Sequence, residues 1–132
     1  MTEKYGVVRL VTLLVLGILF LLGSVAMISA DPGTAPEFPV KDMVTMVDFG
    51  AAFCQPCKAM APFLEKLEKE YKGRAAIVFV DMVKSPELVE RFGIKEIPTQ
   101  IFYNKQGKEA SRHIGFMSEE AIRGRLKKMG VK

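Results

Sequence analysis

Between Val44 and Tyr71 a short apolar run, a sharp break and an amphipathic segment succeed one another. The chain's only two cysteines stand at the joint, as Cys54-Gln55-Pro56-Cys57. Val44 to Phe49 reads as a strand with Asp48 inside it. Lys58 to Tyr71 reads as a helix, because Met60, Leu64, Leu67 and Tyr71 recur at helical spacing while Glu65, Lys66, Glu68 and Lys69 fill the other face. Pro62 is expected to kink that helix and Gly73 to close it. A Cys-x-x-Cys pair where a strand hands over to a helix is the layout for thiol–disulfide exchange. Other uses of the pair fit poorly. Two cysteines are too few for a disulfide-stapled scaffold, and a bridge closing so short a loop removes little chain entropy. A structural zinc site wants four ligands, and the single histidine, His113, supplies no second pair. No metal site and no cofactor beyond the cysteine pair itself is therefore expected.

The segments after Tyr71 continue the alternation. Ala75 to Val80 is a continuous apolar run, the pattern of a strand covered on both faces. Ser85-Pro86 predicts the start of a short helix, with Ser85 as N-cap and Pro86 in the first position, ending at Gly93. Thr99 to Tyr103 reads as a strand, Asn104 to Gly107 as a turn, and Lys108 to Ile114 as a second strand completing a hairpin. His113 falls in that second strand and reads as a surface or edge residue. Ser118 is placed to cap a last helix, with Glu119 and Glu120 in its first turn and Arg125, Lys127 and Lys128 in its last, as the helix dipole favours. The order β-α-β-α-β-β-α predicts a layered α/β fold.

The N-terminal segment is of another kind. Leu10 to Ala30 is a run of 21 residues without a charge. As a helix it would be about 31 Å long at ~1.5 Å per residue, close to the hydrocarbon core of about 30 Å. Lys4 and Arg9 before it and Asp31 and Glu37 after it place the N-terminus in the cytoplasm and the rest outside. A cleaved secretory signal is the competing reading, with Ser24-Val25-Ala26 as a cleavage site. Residues 1–30 are thus an anchor or a signal, and either one exports the remainder of the chain. Asp31 to Pro39 carries three prolines and a glycine and reads as an extended tether. Residues 31–43 form this linker and a shortened domain start, and 44–132 the folded domain. Net charge is +4, with basic and acidic residues interspersed, which leaves no footprint for nucleic acid.

Several separated positions together resemble the thioredoxin family, over roughly Val44 to Val131. They are Val47-Asp48-Phe49 with Cys54-x-Pro-Cys-Lys58 shortly after it, the pair Ala61-Pro62, the segment Gly93-Ile94-x-x-Ile97-Pro98-Thr99, and Gly115. The resemblance implies a three-layer α/β/α sandwich around a mixed four-stranded sheet, here preceded by the N-terminal hydrophobic helix. It also implies a cis peptide before Pro98. There are departures. Phe53 stands where the family carries Trp, Gln55 where it carries Gly, and Phe79 where it carries a lysine near the buried aspartate.

With the resemblance, the site residues acquire roles. Cys54, at a helix start, is the expected exposed nucleophile, and Cys57, one turn in, the resolving thiol; Pro56 fits the first turn. Asp48 is expected to have a raised pKa and to exchange a proton with Cys57. Phe53, Gln55, Ile97, Pro98, Thr99 and Gly115 are expected to rim the substrate groove, with the Ile97 backbone open to strand addition. The implied function is a thiol–disulfide oxidoreductase reducing disulfides of exported client proteins, fed by a membrane thiol-electron donor and held to the membrane, facing the periplasm. The alternatives are a disulfide oxidant or isomerase, a non-catalytic binding module using the same groove, and, last, metal delivery through Cys54, Cys57 and His113.

Overall fold

The computed structural model describes residues 37–132. The apolar run Leu10–Ala30 and the tether up to Pro36 lie outside the described residues. No helix among the described residues is long and apolar enough to cross a membrane.

Among the described residues seven elements succeed one another in the expected order: β1 (Val44–Gly50), α1 (Gln55–Tyr71), β2 (Ala75–Asp81), α2 (Glu87–Arg91), β3 (Thr99–Tyr103), β4 (Glu109–Ile114) and α3 (Glu119–Lys128). The four strands make one mixed sheet in the order β2-β1-β3-β4. β1 and β2 run parallel, joined by α1 as a crossover. β1–β3 and β3–β4 are antiparallel.

Alternation along the strands sorts the core into two layers. Val44 and Met46 of β1, Ala75 and Ile77 of β2 and Phe102 of β3 meet Met60, Leu64, Leu67 and Tyr71 of α1 and Ile122 and Leu126 of α3. On the opposite face Val47, Phe49, Val80, Ile101 and Tyr103 pack with Leu88 of α2 and with Ile94. Phe38 joins this second layer, its ring 5.9 Å from Phe49 and 5.1 Å from Phe92. The last residues of the proline-rich stretch therefore belong to the packed domain.

Three details differ from the sequence expectations. α1 begins at Gln55 rather than Lys58, so both cysteines sit at its first turn. α2 begins one residue later than expected, with Pro86 at the cap position and no side-chain cap; the Ser85 backbone carbonyl, not its hydroxyl, accepts from Leu88 N–H. β2 is not covered on both faces throughout. Among the described residues it is an edge strand, and Phe79 is left 50% exposed.

The last helix is capped as expected: the Ser118 hydroxyl accepts from Ala121 N–H at 3.2 Å. Ser118→Ala should lower stability by about 1 kcal/mol, the usual worth of an N-cap. Urea unfolding of the oxidised protein checks this, and an unchanged midpoint would show that the cap contributes nothing.

Candidate active site

The site is assembled at the end of β1 and the start of α1. Cys54 N–H donates to the Ala51 carbonyl at 3.1 Å, closing the turn that leaves the strand. Cys54 is then the N-cap of α1. Its Sγ accepts from Cys57 N–H at 3.3 Å, and its carbonyl accepts from Lys58 N–H at 3.0 Å. A sulfur placed there faces the unpaired N–H groups and positive end of the helix, a setting that favours the thiolate over the thiol. Pro56, in the first turn, has no N–H to leave unsatisfied.

Cys54 and Cys57 are joined in a disulfide, with Cα atoms 5.2 Å apart. Neither is widely exposed: Cys54 is 8% and Cys57 5% accessible. The expectation of an exposed Cys54 is corrected in this oxidised state. The two sulfurs pack with Ala51 and the partly buried Ile97, which covers them from the segment before β3. Gln55 and Phe53 stand in the open beside them, Phe53 at 71% exposure.

The segment before β3 supplies the other wall. The Ile97–Pro98 peptide is cis. Pro98 and Thr99 are buried rather than at the groove rim as expected, and the Thr99 hydroxyl is spent inward, donating to the Glu96 carbonyl at 2.6 Å. Ile97 lies just outside β3 and pairs with no strand of the sheet. Gly115 N–H donates to the Pro98 carbonyl at 2.7 Å, which ties the end of β4 to this wall. Gly115 has φ +97°, a conformation that side chains rarely adopt. Phe116, half exposed, comes next in the chain and meets Phe63 of α1 edge-on at 6.2 Å. Sequence reasoning did not single out Phe116; its exposure depends on how β4 ends, which no local pattern records.

Asp48 lies beneath this surface, on the α1 side of the sheet, and is 1% accessible. Burial pushes its carboxyl up from 3.8 to about 6, and a hydrogen bond from Gln100 pulls the other way. That bond runs from Gln100 Nε2 to Asp48 Oδ1 at 2.8 Å. Gln100 also escaped the sequence reading. The signal for it was a lone amide in an otherwise apolar strand core. Phe79 is the register partner of Asp48 on the neighbouring strand β2, so an aromatic residue stands at that position.

A cavity of about 270 Å3 opens beside the resolving cysteine, with Ala51, Cys57, Ala61, Leu64, Ile77 and Phe79 among its lining residues. His113 lies on β4, its Nε2 3.1 Å from the Phe116 carbonyl oxygen. Among the described residues no group of three or more His, Cys, Asp or Glu side chains converges to hold a metal ion.

The thioredoxin family model matches residues 37–128. A thioredoxin of Staphylococcus aureus is 36% identical over 83 residues, covering 63% of this chain and 79% of the relative. A thioredoxin of Staphylococcus saprophyticus matches to the same extent. Among solved structures, the exposed lipoprotein thioredoxin of Streptococcus pneumoniae superposes with a TM-score of 0.61 at 26% identity, over 67% of this chain and 86% of that one.

Proposed function

The chain belongs to the thioredoxin family and is a thiol–disulfide oxidoreductase, a protein-disulfide reductase, and on that footing we propose that it reduces disulfides of exported proteins from the outer face of the membrane. The observation that carries the chemistry is the Cys54–Cys57 pair on the first turn of α1, with Cys57 N–H pointed at Cys54 Sγ.

In the reduced enzyme the Cys54 thiolate attacks one sulfur of a client disulfide. A Cys54–client mixed disulfide forms, and the client's other sulfur leaves as a thiolate and takes up a proton. Cys57 then gives its proton to Asp48, and its thiolate attacks Cys54 Sγ. The Cys54–Cys57 disulfide forms and the client's second sulfur leaves, taking up a proton in turn. Two electrons pass from the enzyme to the client. Of the two protons the client takes up, one comes from Cys57 by way of Asp48 and the other from solvent, into which Cys54 released its own on ionising. Asp48 suits the transfer because a carboxyl titrating at about 6 is ionised near neutrality yet basic enough to accept a thiol proton in a buried setting. Phe53, Gln55, Ile97 and Gly115 form the surface on which the client segment lies, with Pro98 and Thr99 buried beneath it and the unpaired Ile97 backbone offering strand-like hydrogen bonds.

Export rests on the uncharged run Leu10–Ala30 and on the likeness to a thioredoxin described as an exposed lipoprotein. Outside the cytoplasm the disulfide must be re-reduced by a dithiol donor that delivers electrons through the membrane.

Two measurements on the full-length protein test this reading. In intact cells a membrane-impermeant thiol reagent should label Cys54 after mild reduction. Labelling only after lysis would overturn export. The reduction potential should lie near the thioredoxin value of about −270 mV; a value close to about −120 mV, that of a strong oxidant, would sink the reductant assignment.

A further inference from the structure

We propose that Gln100 is a positioning residue for proton exchange at Asp48, its buried side-chain amide holding the carboxyl in the place of a charged partner. The proposal rests on the assignment of Asp48 as the group that takes the Cys57 proton.

The sheet register places the residues. Asp48 pairs with Phe79 across β1–β2 and with Gln100 across β1–β3. Directly opposed residues point to the same face, so all three side chains lie on the α1 side of the sheet. Gln100 is fully buried there, and its Nε2 is 2.8 Å from Asp48 Oδ1 and 3.7 Å from Sδ of Met60, one turn beyond Cys57.

The β2 flank offers the carboxyl no donor. A Cβ added at Gly50 would come within 2.9 Å of Phe79 Cε2 and 3.2 Å of Cys57 Sγ. The glycine thus lets the Phe79 ring close against the resolving cysteine. The other ionisable groups around this face are Cys57 on α1, tied in the disulfide, and His113 on β4, across from Gln100 in register and turned to the Phe116 carbonyl. Lys58, Glu65 and Glu68 of α1 line the cavity beside Phe79 and Cys57. Among the described residues none of these bonds to Asp48. Burial and the Gln100 bond are the two influences on its titration.

Among the described residues two buried atoms of the pair have no hydrogen-bond partner, Asp48 Oδ2 and Gln100 Oε1. Both are acceptors while Asp48 is ionised, and a buried polar atom without a partner is costly. A proton on Oδ2 adds the one donor this acceptor-rich pair lacks. Gln100 can serve both forms of Asp48, because its amide is donor and acceptor at once. A cation would serve only the ionised form.

The test tracks Asp48 by carboxyl carbon NMR in the oxidised full-length protein, where neither cysteine titrates. In the wild type, the Gln100 side-chain amide protons should shift with the same midpoint as the Asp48 carboxyl. Gln100→Met and Gln100→Leu keep the volume and remove the donor. In either, the Asp48 midpoint should move upward by roughly one pH unit, the order of magnitude for losing a hydrogen bond to a charged group. Disulfide-reductase rate should fall about fivefold at pH 6 and recover by pH 8.5, as the ionised fraction of a group shifted by about one unit requires. An unmoved Asp48 midpoint, a flat Gln100 amide signal in the wild type, or a rate loss equal at every pH overturns the proposal. Asp48→Asn separates the role of Gln100 from that of Asp48 itself. If that variant keeps the wild-type pH profile, the proton-exchange role of Asp48 is wrong, whatever Gln100 does to its titration.

Discussion

Cys57→Ser stops turnover and leaves client proteins covalently attached through Cys54. The two cysteines stand at one helix turn but face different tasks. Cys54 Sγ sits at the N-cap, where it accepts from Cys57 N–H; this stabilises the attacking thiolate. Cys57 is needed only to break the mixed disulfide, and serine at this position cannot expel the client sulfur by forming a disulfide. The first step therefore proceeds and the second does not. Catalytic reduction of a protein disulfide should fall to background, while non-reducing gels show adducts that collapse on adding dithiothreitol. Cys54→Ser should lose both turnover and adducts. Adducts that persist in Cys54→Ser would mean that Cys57 is the attacking residue, and a Cys57→Ser variant that still turns over would remove resolution by Cys57 from the mechanism.

Asp48→Asn raises stability at pH 8 by up to about 3 kcal/mol and leaves it nearly unchanged at pH 4. The carboxyl titrates at about 6 in the folded protein against 3.8 ordinarily, and each unit is worth about 1.36 kcal/mol. Below about pH 4 the group is protonated in folded and unfolded chains alike, so it contributes nothing. Between about 4 and 6 the unfolded chain releases the proton and the folded one retains it, so wild-type stability declines as pH rises. Above about 6 both are ionised and the loss is complete. Asparagine carries no charge to bury and offers Gln100 an amide in the same place. Urea unfolding of the oxidised proteins at the two pH values checks this. A stability difference that is the same at both would mean that Asp48 is not held with a raised pKa. The same variant should reduce disulfides more slowly at neutral pH, a loss of activity accompanying a gain in stability.

These effects arise at positions that the sequence exposes to different degrees. The strand Val44–Phe49, the helix after the cysteines and the Ser118 cap were all legible, because period, cap chemistry and spacing are local properties of the chain. Asp48 inside an apolar run marked itself as a carboxyl due to be buried. The coverage of β2 was misread, since an apolar run does not say whether its strand is central or at an edge. Phe53 illustrates the same limit. An aromatic residue beside a reactive cysteine suits the core and the groove equally, and only the exit of the chain from β1 turns it outward.

The sequence alone determined the reaction class: a Cys-x-x-Cys pair at a strand–helix joint, Asp48 six residues before Cys54, and the Ile97-Pro98 segment. The tertiary structure decided the environment in which that reaction runs. It seated both cysteines below the surface and set Phe79 and Gln100 on either side of Asp48. The reason is register. Phe79 and Gln100 lie 31 and 52 residues beyond Asp48 in the chain, and they become its neighbours only through the pairing of three strands, which no local pattern specifies.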